Sequence, residues 1–194
     1  MRREQLRRFR RVFAKGDVRS ISRRYFVANG FDGTLTSIGV VVGTYLAGVT
    51  DGFAVIGIGL GAAVGLGTSG VWSVWEIERA EALAERRRVE AAMVTDLEGT
   101  RIERDHRTAQ IIHASASATG PVLAILLTLA PFLLVDVVLS LAQAVVVSVL
   151  VGIAILATFG AYMGSISEQR WYVTAVRMGL AGVVVAAINV FLPG

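Results

Sequence analysis

The chain has 194 residues, 54% of them hydrophobic and only 18% charged, where a soluble domain carries about a quarter charged residues. The charges crowd into residues 1–24, 76–107 and 165–177 and leave long uncharged runs between them, as a bilayer requires of anything that crosses it. With no cysteine, a disulfide framework, a thiolate metal site and a cysteine nucleophile are excluded.

Residues 1–24 are strongly basic. The basic stretch and the apolar run after it are both too long for a signal peptide, so this segment is expected to be a cytoplasmic arm. Five apolar runs follow: Tyr25 to Val49, broken by Asn29 and Asp32; Gly52 to Trp75; Thr119 to Val135; Val137 to Met163; and Trp171 to Leu192, with Arg177 near its start. Roughly 20 residues cross the hydrocarbon core as a helix, so each run predicts a span. The runs are continuous, without the alternation of a membrane β-barrel.

The loops test that count. With five spans, all 19 Lys and Arg residues fall on one side or in the first turns of the helices leaving it. Basic residues are retained in the cytoplasm, which places the N-terminus and the 76–118 segment inside and the C-terminus outside. The net charge of +4 is then a topology signal, and no nucleic-acid partner is expected. Trp72, Trp75, Trp171 and Tyr172 lie at predicted inner helix ends, where amphipathic rings favour the headgroup level.

The expected fold is an all-α integral membrane protein with five transmembrane helices and a cytoplasmic helical segment between helices 2 and 3. Its parts are a basic arm (1–24), helices 1 and 2 (25–75), an acidic cytoplasmic segment (76–118) and helices 3 to 5 (119–192). Small residues recur every four positions: Gly39 and Gly43; Gly57, Gly61, Gly65 and Ser69; Ser148 and Gly152. Such stripes let helix backbones approach closely in lipid, either within the chain or between subunits. Glu76 to Met93 is dense in Ala, Glu, Arg and Leu, all strong helix formers. It predicts a helix leaving the membrane at Trp75, a break near Gly99, and a second helix from about Arg101 into the third span.

Asp32 is the only carboxylate inside a span. Helical spacing puts Asn29, Asp32, Gly33 and Thr36 on one face, and an intramembrane carboxylate marks an ion or proton site by default. The alternative is an interfacial ion pair with Arg23 or Arg24. A second constellation lies in the 76–118 segment. Glu78, Glu81 and Glu85 share a helix face, with Glu90, Asp96 and Glu98 beyond. Glu103 and His106 stand one turn apart, and His113 follows one heptad later. The Glu-x-x-His spacing occurs in helical carboxylate-bridged iron sites, and carboxylate with imidazole suits Fe²⁺, Mn²⁺ or Zn²⁺. The alternative is a solvated helix whose glutamates pair with Arg79, Arg86, Arg88, Arg101 and Arg104. Phosphate-loop, nucleophile-elbow and His-Glu-x-x-His signatures are absent, so an enzyme is not expected.

The run from Asn29 through Asp32-Gly33 to Thr36, with Gly43 beyond, resembles the first-helix motif of the vacuolar iron transporter family, approximately Gly-Ala-Asn-Asp-Gly-Leu-Val-Thr. Leu129-Ala130-Pro131-Phe132 resembles that family's Pro-containing third helix, and the five-span plan with an acidic segment between helices 2 and 3 is similar. The second span departs from it: Thr68-Ser69 and glycines stand where members often carry a Ser-Met pair and a carboxylate. The resemblance implies a divergent member that exports Fe²⁺ or Mn²⁺ from the cytosol in exchange for protons and works as a homodimer lined by its first helices. Asp32 would be the pathway carboxylate, and Glu78 and Glu81 would open the cytoplasmic metal-binding segment. The expected metal contacts are therefore Asp32, Glu78, Glu81, Glu85, Glu103 and His106. The ion is transported and no cofactor is permanently bound; the other partners are the bilayer, that of the cell membrane, and a second copy. The competing reading is a non-transporting scaffold whose cytoplasmic helices bind a partner.

Overall fold

The computed structural model describes residues 2–93 and 101–191. Among them are six α-helices: α1 (Arg2–Phe13), α2 (Gly16–Leu46), α3 (Gly52–Met93), α4 (Arg101–Leu129), α5 (Leu141–Ile166) and α6 (Trp171–Phe191). A 3-10 turn at Ala130–Leu134 prolongs α4, and no named strand occurs among the described residues. Five helices, α2 to α6, are long and apolar enough to cross a membrane. The chain is an all-α integral membrane protein, as its charge pattern predicts. Helices satisfy every backbone polar group within one segment, which hydrocarbon demands. The break read near Gly99, with Asp96 and Glu98, lies outside the described residues.

Two boundaries differ from the linear reading, and a third, the helix running on past Trp75, is as predicted. The sequence predicts one arm over residues 1–24. Instead α1 ends at Phe13, and α2 starts at Gly16 and runs unbroken through Arg24 and Tyr25. Val12 packs in a small apolar cluster with Val18 of α2 and Ile112 of α4. Asp105 of α4 clamps the joint, with Lys15 Nζ at 2.9 Å and an Arg11 nitrogen at 3.5 Å. The fourth span starts at Leu141 rather than at Val137. Ahead of it the Val138 and Leu139 amides both bond the Leu134 carbonyl at 3.0 Å, and Asp136 adopts a left-handed φ of 65°. The Ser140 and Gln143 capping box then sets the first turn of α5. Val137 and Val138 read as helix by apolarity, but they sit exposed in this reversal. At the far end of the second span, α3 continues from the apolar residues through Trp75 to Met93 with no interruption.

Of the five spans α4 is the most enclosed and α6 the least. Glycines make close packing possible. Where α2 crosses α4, Gly30 and Gly33 face Gly120 and Pro121, and a Cβ on Gly33 would stand 2.5 Å from the Pro121 Cα. Gly152 of α5 admits Ile38 of α2, and Gly160 and Gly164 admit the first turn of α6. Gly39 and Gly43 face Asn189 of α6. In α3 the glycines that meet α4 are Gly59, Gly67 and Gly70, against Leu129, Val122 and Ser117. Among the described residues nothing lies within 4 Å of a Cβ added to the regular stripe of Gly57, Gly61 and Gly65, and Ser69 beside it is exposed.

Candidate functional site

α2, α3 and α4 all extend past their apolar stretches at the same end of the bundle, the end that carries the arginines. With α1 they enclose a cavity of about 700 Å³. Four of the predicted residues line it: Glu78, Glu81 and Glu85 from α3 and His106 from α4. Helical spacing explains the α3 set, because positions 78, 81 and 85 fall on one face. Asp17 and Asp105 add carboxylates to the wall, and Lys15 and Arg88 add two cations. Glu103 points elsewhere. It lines a second hollow of about 680 Å³ between α3 and α4, with Trp75, Arg79 and Arg86. Glu85 and His106 border both hollows.

The carboxylates of α3 differ in their engagements. Glu78 is tied down: one oxygen accepts from the Tyr25 hydroxyl at 3.2 Å, and the other lies 2.9 Å from His113 Nδ1. Glu81 and Glu85 are exposed, and neither forms an ion pair with a described residue. Of the arginines expected to pair with the segment's glutamates, Arg86 bonds Glu90 at 2.6 Å, and Arg79 approaches Glu76 at 3.9 Å. Among the described residues no three His, Asp or Glu side chains converge closely enough to hold an ion as they stand.

One turn further into the bundle, polar groups tie three helices together. Asn29 Nδ2 donates to Ser117 Oγ at 2.7 Å, and Ser117 Oγ donates to the Gly70 carbonyl at 3.0 Å. Pro121 lacks the N–H that would bond the Ser117 carbonyl four residues back, and Gly70 packs against that same carbonyl. On the face that helical spacing gives to Asn29, Asp32 and Gly33, the Asn29 side chain and Gly33 both meet α4.

Asp32 stands apart from the cavity. It is exposed on α2, beside the buried Gly33 that packs on Pro121, and so lies within the apolar zone. Among the described residues it forms no ion pair with Arg23 or Arg24, so the interfacial pairing is not found. The structure thus brings Glu78, Glu81, Glu85 and His106 to one cavity, and leaves Glu103 and Asp32 outside it. Linear reading missed the union of Tyr25, Glu78 and His113. The signal would have been the antiparallel register of α3 against α4, seen where Gln110 Nε2 donates to the Trp75 carbonyl at 2.7 Å; spacing within one helix does not carry it.

Two comparisons bear on this arrangement. The model of the VIT family matches residues 72–193. An uncharacterized protein of Methanocaldococcus jannaschii is 27% identical over 172 residues, covering 87% of this chain and 86% of that protein. The family match includes the α3 and α4 walls of the cavity, while Asp32 precedes it.

Proposed function

The chain belongs to the VIT family, and we propose that it is a transporter that moves Fe²⁺ or Mn²⁺ out of the cytosol in exchange for protons. Membership carries the coarser statement, a membrane protein for metal-ion transport. The finer reading is carried by the cavity that gathers Glu78, Glu81, Glu85 and His106 at the charged end of the bundle. Carboxylates with an imidazole on the same wall, from His106 or His113, suit a divalent transition metal, and the exposed Glu81 and Glu85, which form no ion pair with a described residue, are free to take one.

In this reading the charged end faces the cytosol, because basic residues are retained there, and the C-terminus lies across the membrane, most simply the cell membrane. The cavity collects the ion and Asp32 carries it, or the exchanged proton, through the apolar zone. Glu103 would attract cations to the neighbouring hollow. An exposed carboxylate at membrane depth is costly in lipid, and the open stripe of Gly57, Gly61 and Gly65 leaves room for another backbone. Both features support a homodimer in which a second copy covers surfaces that this chain leaves bare.

The test is Fe²⁺ and Mn²⁺ uptake into proteoliposomes, with and without a pH gradient, for the native chain and Asp32→Asn. Gradient-dependent flux that the substitution abolishes is the expected result. Folded, reconstituted protein that moves neither ion would leave the scaffold as the surviving reading.

A further inference from the structure

We infer that His113 is a metal ligand, supplying through Nε2 the nitrogen donor at the membrane-proximal end of the acidic cavity for a divalent transition metal. This rests on the reading of that cavity as the place where metal is collected, and adds to it a residue and a basis for selectivity.

His113 is 2% exposed, yet it lines the cavity. Its Nε2 atom is buried and has no hydrogen-bond partner among the described residues. A buried polar atom without a partner is rare in a folded protein and calls for a reason. The other ring nitrogen shows what the reason is. Nδ1 lies 2.9 Å from Glu78 Oε2, close but without the alignment of a full hydrogen bond, and the Tyr25 hydroxyl holds the second oxygen of Glu78. The carboxylate favours the proton on Nδ1, which leaves the lone pair on Nε2. Metal-binding histidines have this arrangement, with a carboxylate behind the ring fixing its tautomer and orientation.

The remaining donors are at hand. Glu81 and Glu85 line the same cavity from exposed positions, so their side chains can swing toward a bound ion without breaking a described ion pair. The three-donor cluster that the resting side chains lack is completed by that movement. His106, the histidine that its Glu-x-x-His spacing singles out, is exposed and borders both hollows; among the described residues no carboxylate anchors and orients it. A nitrogen donor also sets the selectivity. Mg²⁺ and Ca²⁺ take oxygen ligands, whereas imidazole suits transition ions, so His113 would admit Mn²⁺ or Fe²⁺ and pass over Mg²⁺.

The experiment is pulsed electron paramagnetic resonance of Mn²⁺ on the purified full chain in detergent, which reads nitrogen bonded to the ion and does not depend on transport. The native protein is expected to show ¹⁴N coupling that excess Mg²⁺ does not remove. His106→Gln should keep the coupling. His113→Gln should lose it and weaken Mn²⁺ binding by about tenfold or more, the scale of loss for disrupted metal-ligand shells. If His113→Gln does not fold, His106→Gln grown with ¹⁵N-histidine answers instead, because its only histidine is then His113 and the coupling must change from ¹⁴N to ¹⁵N. Absence of nitrogen coupling, its persistence in folded His113→Gln, or its loss in His106→Gln would overturn the assignment. Nitrogen coupling without flux in proteoliposomes would leave His113 a ligand and remove the transporter reading; flux without nitrogen coupling would do the reverse.

Discussion

The crossing of α2 on α4 and the cavity beyond it are built from the same helices, yet they have opposite characters. At the crossing, Gly30, Gly33, Gly120 and Pro121 bring backbone onto backbone, and the buried hydroxyl of Thr34 is satisfied by a carbonyl of its own helix. Two turns and more toward the charged end, the helices part around a space of about 700 Å³, and Glu81 and Glu85 stand there without an ion-pair partner among the described residues. Contact holds the first region together; in the second, free polar groups are kept apart by the rigidity of the first. Tyr25, Glu78 and His113 lie at the seam between them.

That division is open to attack from either side. Gly33→Val should have the largest effect, because its added Cβ meets the Pro121 backbone and no side chain can yield. Overpacking of this kind costs about 1–3 kcal/mol or more, and thermal unfolding in detergent should show a large fall or no folded protein. Asp32→Asn should do the opposite, abolishing gradient-driven metal flux while leaving the unfolding midpoint near that of the native chain, since Asp32 makes no described ion pair. A Glu81→Gln and Glu85→Gln double variant should raise the metal concentration for half-maximal flux severalfold, with stability changed by less than about 0.5 kcal/mol, as for exposed positions generally. If it instead unfolds the protein, the cavity wall is structural and the division fails. Ser117→Ala probes the seam and should be mildest: it removes one hydroxyl that bonds two partners, and membrane hydrogen bonds of this kind average about 0.6 kcal/mol each.

How far these regions are legible in the sequence follows from how each is encoded. The five spans are written in local composition and in arginine placement, so they can be counted without a structure. The start of the fourth span is not, because Val137 and Val138 are as apolar in a reversal as in a helix, and only Asp136 and the Ser140 cap distinguish the two. Glycine periodicity pointed to Gly57, Gly61 and Gly65, yet α4 packs on Gly59, Gly67 and Gly70. Regular spacing shows which faces can pack, and the partner's position decides which do. The acidic face of α3 was visible because one helix carries all of it. The role of Glu78 was not, because its partners Tyr25 and His113 come from two other helices. Pairing across helices depends on register, and no single segment contains it.

The unbroken run of α3 has a mechanical consequence. Its 42 residues form a rod about 63 Å long at the usual rise per residue, with no proline to act as a joint. Glu85 stands about 15 Å beyond Trp75 on that rod by the same rise. A tilt of only about 5° about Trp75 would swing the backbone at Glu85 by a little over 1 Å on this geometry. That is enough to make or break a bond to a metal ion. The rod is therefore a lever pivoting near Trp75, and a tilt where its buried glycines meet α4 would be carried to the acidic rim as displacement.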